Sequence, residues 1–334
     1  MGGFIRSASL TNFTEVARSV GLDPERLLKE LGLPRQALAE PDLMVPIDTV
    51  RQLLETAAER SGVEGFGLLM AEARRLSNLG PLGLLMREQP TLRAAVESYA
   101  QYARKLNEAL FLTLEESGDA FVLREELIIG RGGAVRQSTE LAIGVSFQML
   151  RAFLGPQWHP RRICFAHHAP ADLSVHHRVF GRNVAFGQVF NGIVCARRDL
   201  EMPNPAADPD MARFARKLLD GGPATAESKL AAYVRQFVVM QIGSGRCTID
   251  QAATHLRIDR RTVHRRLARE GATFSGIVDE VRRELATRYV REGTRTLAEI
   301  SGLLGFAAQS GFSRWYRRTF GRPASHERVR SDSP

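Results

Sequence analysis

The sequence predicts a mixed α+β N-terminal domain followed by an all-α C-terminal domain with two helix-turn-helix motifs joined by a long helix. Three observations carry that reading. The chain has 334 residues, and single cores usually stop growing at about 250–300 residues. Short extended runs punctuated by Gly, Pro and Asn stop near residue 200, and only helical periodicity follows. The charge divides in the same region. Residues 1–223 hold 26 basic and 26 acidic side chains, and residues 224–334 hold 20 basic against 11 acidic, so the whole +9 excess lies in the last third. Such an asymmetry points to a module for nucleic acid or another anionic surface, attached to a neutral domain.

Composition narrows the class further. With 44% apolar, 25% charged and 7% aromatic residues, the chain is neither disordered nor collagen-like. Cys164, Cys195 and Cys247 are too few and too scattered for a disulfide framework or a thiolate metal site. The opening MGGFIRSASL lacks the apolar core of a signal peptide, and Arg6 stands where a myristoylation motif wants Ser or Thr. The most apolar stretch, LAIGVSFQMLRAFLG, is interrupted by Gln148 and Arg151 and is too short to span a bilayer. These features predict a cytoplasmic protein with no membrane partner.

The first hundred residues read as helical. Val50, Leu53, Leu54 and Ala57, then Leu92, Ala95, Val96 and Tyr99, recur at helical spacing. Pro24, Pro46 and Pro81 sit at plausible helix starts, where a missing N–H costs nothing, with Asp23 and Thr91 as N-caps. Between about 108 and 130 the period changes, and two extended runs flank Ser117-Gly118-Asp119, a hairpin signal. Residues 137–154 return to helix. RRICFAHH, NVAFGQV and GIVCARR follow as short β-like runs. The proline-rich MPNPAADPD and the Gly-Gly-Pro break in LLDGGPAT predict a linker between about 203 and 225, and hence domains at 1–222 and 223–334.

The basic third resolves into punctuated helices. Glu227 to Ile242 carries Leu230, Tyr233, Val234, Phe237 and Val238 on one face and ends at Gly243. Thr248 caps the short helix IDQAATHL. A tight break at Arg257-Ile258 leads to Asp259, which caps RRTVHRRLARE, ending at Gly271. Two short helices across a few residues make a helix-turn-helix. In the second, Val263 and Leu267 face inward, and Arg260, Arg261, His264 and Arg265 face out. A recognition helix needs that long-armed cationic face to meet phosphates and guanine edges.

The pattern then repeats. A helix from about Phe274 to Glu292 precedes Thr296, and Leu297 to Leu304 breaks at Gly305-Phe306. The final helix, AQSGFSRWYRRTF, ends at Gly321. Phe312, Trp315 or Tyr316, and Phe320 face inward; Gln309, Ser310, Ser313 and Arg314 face outward. Arg317 and Arg318 suit backbone phosphates. The 19-residue joining helix spans about 29 Å, close to the ~34 Å that separates successive major grooves on one side of DNA.

IDQAATHLRIDRRTVHRRLAREGATF followed by TLAEISGLLGFAAQSGFSRWYRRTFG resembles the AraC/XylS family of bacterial transcription regulators over residues 228–321. NVAFGQVFNGIVCARRDLEMPNPAADP resembles the arabinose-binding-like effector and dimerisation domain in one branch of that family. The resemblance implies a sequence-specific DNA-binding regulator. Its partners would be a promoter operator, a small-molecule effector, RNA polymerase and a second copy of itself. It also implies base contacts at Arg261, His264 and Arg265, then at Gln309, Ser310, Ser313 and Arg314. The chain departs from the family at GRPASHER, where Pro323 comes one place early and Glu327 replaces an aromatic.

Other readings are weaker. An architectural protein would bind phosphates alone, with no operator. An enzyme lacks a constellation, since there is no P-loop, GxSxG, HExxH or dinucleotide fingerprint, and GRGGA at 130–134 is a plain glycine-rich turn. His167-His168 and His176-His177 invite a metal, but neighbours on one strand point to opposite faces, so no metal and no cofactor is expected. An effector pocket is expected between the helix at 137–154 and the strands beyond 162, with Tyr99, Tyr102, Phe147, Arg151 and His167 as possible liners.

Overall fold

The computed structural model describes residues 3–127, 134–221, 230–244, 247–255, 259–293 and 295–327. Two compact units make up the chain, Met1–Gly222 and Pro223–Pro334. The glycine-rich turn at 130–133, the Gly-Pro break after Gly221, the start of the helix expected from Glu227, and the break at Arg257-Ile258 lie outside the described residues.

In the first unit, α1 (Phe13–Ser19), α2 (Pro24–Glu30), α3 (Ile47–Ser61), α4 (Phe66–Glu72), α5 (Pro81–Arg87) and α6 (Leu92–Tyr102) form the helical half. The punctuation works as the sequence predicts. Asp23 accepts from the Glu25 and Arg26 amides ahead of Pro24, Pro46 is the N-cap of α3, and Thr91 accepts from Ala94 N–H. Such caps satisfy amides that a helix start otherwise leaves without partners. A two-stranded antiparallel ribbon of β1 (Phe4–Arg6) and β2 (Met44–Pro46), which sequence periodicity cannot reveal at three residues per strand, pins the N-terminus beside α3.

The second half is a five-stranded sheet in the order β3-β4-β7-β5-β6. Its strands are β3 (Leu110–Ser117), β4 (Ala120–Leu127), β5 (Arg162–Cys164), β6 (Val184–Ala185) and β7 (Asn191–Ala196). The β3–β4 hairpin turns at Gly118, whose positive φ of 58° is glycine territory. The sheet is antiparallel except for the β5–β6 pair.

The helix α7 (Arg136–Leu154) packs against α4 unusually closely. A Cβ on Gly67 would lie 2.1 Å from the Gln137 carbonyl oxygen, and one on Gly144 would lie 2.4 Å from the Ala71 Cβ. The two glycines are there because nothing larger fits between these helices. Phe121, Phe147, Phe165 and Phe180 fill the space beneath the sheet and are essentially solvent-free.

Two expectations for this unit need correction. Residues 203–221 are no connector. Pro203 bridges Thr91, and the Asn204 amide donates to the Arg87 and Gln89 carbonyls at 2.6 and 3.0 Å. The helix α9 (Pro209–Gly221) then packs on α5 through Ala212, Ala215 and Leu219. Asp208 caps α9, with Asp210 N–H 2.8 Å away, so Asp208-Pro209 is the same start signal as Asp23-Pro24. Proline density disguised it. The histidines are also placed differently. His167 and His168 follow the end of β5 in a bend, and His176 and His177 lie on α8 (Ser174–Phe180), so opposite strand faces do not enter.

The second unit, as far as it is described, is helical. It comprises α10 (Leu230–Gln241), α11 (Ile249–His255), α12 (Arg260–Arg269), α13 (Phe274–Glu292), α14 (Leu297–Leu303) and α15 (Gln309–Phe320). Val234, Phe237 and Val238 of α10 are buried together with Val281, Leu285 and Val290 of α13, and α10 packs on α11, α12 and α13. The α+β unit followed by an all-helical unit is the predicted fold class.

Candidate nucleic-acid interface and effector cavity

The second unit presents two helices of the same design. α12 begins at Asp259, whose carboxylate accepts from the Thr262 amide at 2.8 Å and the Thr262 hydroxyl at 2.7 Å. Those bonds hold the Asp259 carboxyl below the usual carboxylate range. Val263 and Leu267 are buried, and Arg261, His264, Arg265, Arg266 and Arg269 are exposed. Arg260 is exposed too, but its guanidinium lies 3.4 Å from Asp250 on α11, so it also braces the two helices of the first motif. Glu270, just past the end of α12, accepts from the Leu230 and Ala231 amides at 2.7 and 2.8 Å. A carboxylate there complements the positive N-terminal end of α10.

The second motif starts at α14, where Thr296 and Glu299 form a reciprocal capping box. Its turn is set by Gly305, with φ of 73° and the Ile242 carbonyl oxygen 2.1 Å from where a Cβ would stand. α15 then buries Phe312, Trp315 and Tyr316 together, so both aromatic candidates at 315 and 316 face inward, and Phe320 is half-buried. Phe306 joins them, its ring centroid 5.4 Å from Trp315 and 5.8 Å from Phe312. Gln309, Ser310, Ser313, Arg314, Arg317 and Arg318 are all exposed. Among the described residues none of Arg261, Arg265, Arg314, Arg317 or Arg318 has an ion-pair partner, which leaves those cations available to phosphates and base edges.

The departure at the end of the family pattern has a structural answer. Glu327, standing where an aromatic is usual, accepts the Tyr316 hydroxyl proton and pairs with Arg322. Burial and this carboxylate push the Tyr316 phenol upward. A polar clasp closes the last turn in place of an aromatic contact.

The first unit holds a cavity of about 120 Å³ between β1, α3, the turn at 76–79, α6 and the start of α7. Its walls include Val50, Leu54, Tyr99, Leu141 and Val145. The location differs from the sequence expectation in part. α7 lines the cavity, as does Tyr99, whose phenol burial pushes upward. The strands beyond 162 do not line it, nor do Tyr102, Phe147, Arg151 or His167. Phe147 instead stacks edge-on against Phe180, with centroids 5.2 Å apart, and Arg151 donates to the Pro156 carbonyl.

Sequence reasoning missed Arg6, Arg51, Arg74 and Arg75, which also line the cavity. A signal was available for Arg51. It follows Ile47 by four residues and precedes Leu54 by three, so it lies on the buried stripe of α3.

His167 and His176, not foreseen as partners, converge on the fully buried Glu140. His176 Nε2 lies 3.1 Å from its carboxylate, and Arg136 Nε donates to it at 3.0 Å. Burial lowers the His167 pKa. No group of three or more His, Cys, Asp or Glu able to hold a metal is found among the described residues. The three cysteines are free, with Cys164 and Cys195 buried. No helix among the described residues is long and apolar enough to cross a membrane.

Both units match known protein families. The family model for the arabinose-binding domain of AraC transcription regulators, N-terminal, matches residues 21–204. A helix-turn-helix domain model matches residues 252–330. The HTH-type transcriptional regulator VirS of Mycobacterium tuberculosis is 28% identical over 323 residues, covering 96% of this chain and 95% of that protein. The ornithine utilization regulator of Pseudomonas aeruginosa is 26% identical over 315 residues, covering 90% and 93%. The crystal structure of the transcriptional regulator CdpR from Pseudomonas aeruginosa aligns with a TM-score of 0.40 at 19% identity, covering 91% of this chain and 95% of that one.

Proposed function

The chain belongs to the AraC transcription regulators, and from that premise we propose that it is a ligand-responsive activator reading two adjacent major grooves through α12 and α15. It has the helix-turn-helix DNA-binding domain and the N-terminal ligand-binding domain of its family. In this reading residues 223–334 bind DNA, and residues 1–222 bind effector and a second copy of the chain. Effector binding lets the DNA-bound protein contact RNA polymerase in the cytoplasm, and no catalytic turnover is involved.

The observation that carries the reading is the repeated division of labour in α12 and α15. Each buries an apolar face and exposes a cationic, hydrogen-bonding one. Arg261, His264 and Arg265 on α12, with Gln309, Ser310, Ser313 and Arg314 on α15, are assigned to base edges; Arg260, Arg317 and Arg318 are assigned to phosphates. Arg pairs bidentately with guanine, and Gln with adenine. The helix α13 that joins the motifs has 19 residues and so a length of about 29 Å, near one turn of DNA.

The test is competition binding at physiological salt between the promoter region beside the protein's own gene and random duplex. A regulator of this kind prefers its operator by roughly 10³-fold or more. A protein that binds phosphates alone shows a steep salt slope and no preference, and that result would reject the reading.

A further inference from the structure

We propose that the effector is a small monocarboxylic acid with an apolar body, its carboxylate taken by the arginines of the first-unit cavity, Arg51 foremost. This rests on the reading of that cavity as the effector site. The apolar side is contributed by Val50, Leu54, Leu141 and Val145, which offer an acyl chain or ring a hydrocarbon surface. The charged groups are cationic: Arg6, Arg51, Arg74 and Arg75 line the cavity, and no Asp or Glu among the described residues does.

The arginines keep buried N–H donors that no protein acceptor among the described residues takes up. Arg51 is only 8% exposed. Its Nη1 donates to the Ala134 carbonyl at 3.1 Å, its Nε is shielded from solvent without a hydrogen-bond partner, and the nearest carboxylate, Asp48, is 3.8 Å away. Arg74 bonds only to the Ala8 and Ser9 carbonyls, its Nε is likewise unsatisfied, and burial pushes its guanidinium down to about 10. Arg6 spends Nε and Nη2 on Asp42, and its Nη1 is buried without a partner. Buried guanidinium N–H groups left without acceptors are costly, and Arg74 has no carboxylate partner among the described residues, so an entering carboxylate that accepts from them relieves that cost.

The same inventory argues against a neutral polyol. A sugar hydroxyl both donates and accepts; the side-chain acceptors among the described lining residues are neutral, on Ser9, Asn78, Tyr99, Asn107 and Ser138, while the charged groups there are all donors, a balance that favours an anion. The size, about 120 Å³, is of the order of the ~150 Å³ hydrocarbon cavity that admits benzene. It suits a ring or a short chain better than a long lipid.

The experiment is calorimetric titration of the full-length protein with sodium benzoate and sodium hexanoate, beside benzyl alcohol and 1-hexanol as neutral counterparts. The acids should bind at least about tenfold more tightly than the alcohols. Arg51→Met should bring acid and alcohol to within about threefold of each other. Arg74→Gln, a second variant with a separate backbone role, should weaken acid binding and leave alcohol binding unchanged.

The assignment is overturned if acids and alcohols bind the wild type equally, if Arg51→Met binds acids as the wild type does, or if neither acid binds at about 10 mM. Operator binding measured on the same preparation separates these failures from a failure of the regulator reading. An operator-specific protein that ignores both acids keeps its function and loses this ligand class.

Discussion

The guanidinium of Arg282 lies 4.9 Å from the ring centroid of Phe306, and its Nε donates to the Leu304 carbonyl at 3.1 Å. One side chain of the joining helix α13 thus fastens the turn of the second helix-turn-helix and the aromatic cluster under α15. A cation over an aromatic face adds about 0.5–1 kcal/mol, and the hydrogen bond about 1 kcal/mol more. Arg282→Ala should therefore destabilise the protein by roughly 1–2 kcal/mol in urea unfolding. It should also weaken protection of the half-site read by α15 more than that read by α12. Equal loss at both half-sites would show that Arg282 does not position the second motif.

The division between reading and anchoring arginines is separable by substitution. Arg265→Ala should cost about 1–3 kcal/mol of discrimination at one or two base pairs. Arg318→Ala should weaken all sequences alike and reduce the slope of binding against salt by about one. Affinity measured across a panel of single-base operator variants checks both. The same uniform loss from the two variants would remove the assignment of base-reading residues.

Glu125 on β4 is 2% exposed, and burial raises its carboxyl to about 7. The folded chain therefore keeps a proton that the unfolded chain releases above about 4.5. The stability due to this group is fully present below that value and is lost as pH rises towards 7. Glu125→Gln should remove that dependence and gain up to about 3 kcal/mol relative to the wild type above pH 8. Urea unfolding of both proteins from pH 5 to 8.5 measures it; parallel profiles would mean that Glu125 ionises normally.

On α9, Met211, Phe214 and Leu218 are exposed at helical spacing on one side, while Ala212, Ala215 and Leu219 are buried. A row of exposed apolar side chains is a candidate seam for a second copy, since a two-fold interface uses the same patch twice. If this seam joins two copies, the wild type should run as a dimer in light scattering and Phe214→Asp as a monomer, with an unchanged helical spectrum. A monomeric wild type, or a mass unchanged by the substitution, would reject this seam.

Close packing makes its own prediction. Gly144→Val should be strongly destabilising, by about 3 kcal/mol or more, because Ala71 leaves no room for even a Cβ without α4 and α7 moving apart. The change in thermal midpoint measures this.

What could be read from the sequence was local and periodic. Asp23-Pro24, Thr91, Asp259 and Thr296 announced their helices because caps act through neighbouring amides. Val263 and Leu267, like Phe312 and Trp315, showed their faces through spacing. The exposed Arg261, His264, Arg265, Gln309 and Arg314 followed from those faces. What could not be read depends on distant partners. The ribbon of Phe4–Arg6 with Met44–Pro46 is too short to show a period. The docking of α9 on α5 was hidden by prolines that look like a linker. Arg51 shows its place on the buried stripe of α3, but its meeting with Arg74 and Arg6 brings together segments far apart in the chain, in a protein with 42 arginines, which no local pattern reveals.

Dimethyl sulfate interference on the promoter beside the protein's gene tests the central claim most directly, because methylation of guanine N7 blocks the major groove. The account predicts two clusters of interfering guanines for each protomer, on one face of the duplex and about 10 base pairs apart. Arg265→Ala should erase contacts from one cluster and Arg314→Ala from the other. Interference spread without clusters, or unchanged in both variants, would contradict reading of the major groove by α12 and α15.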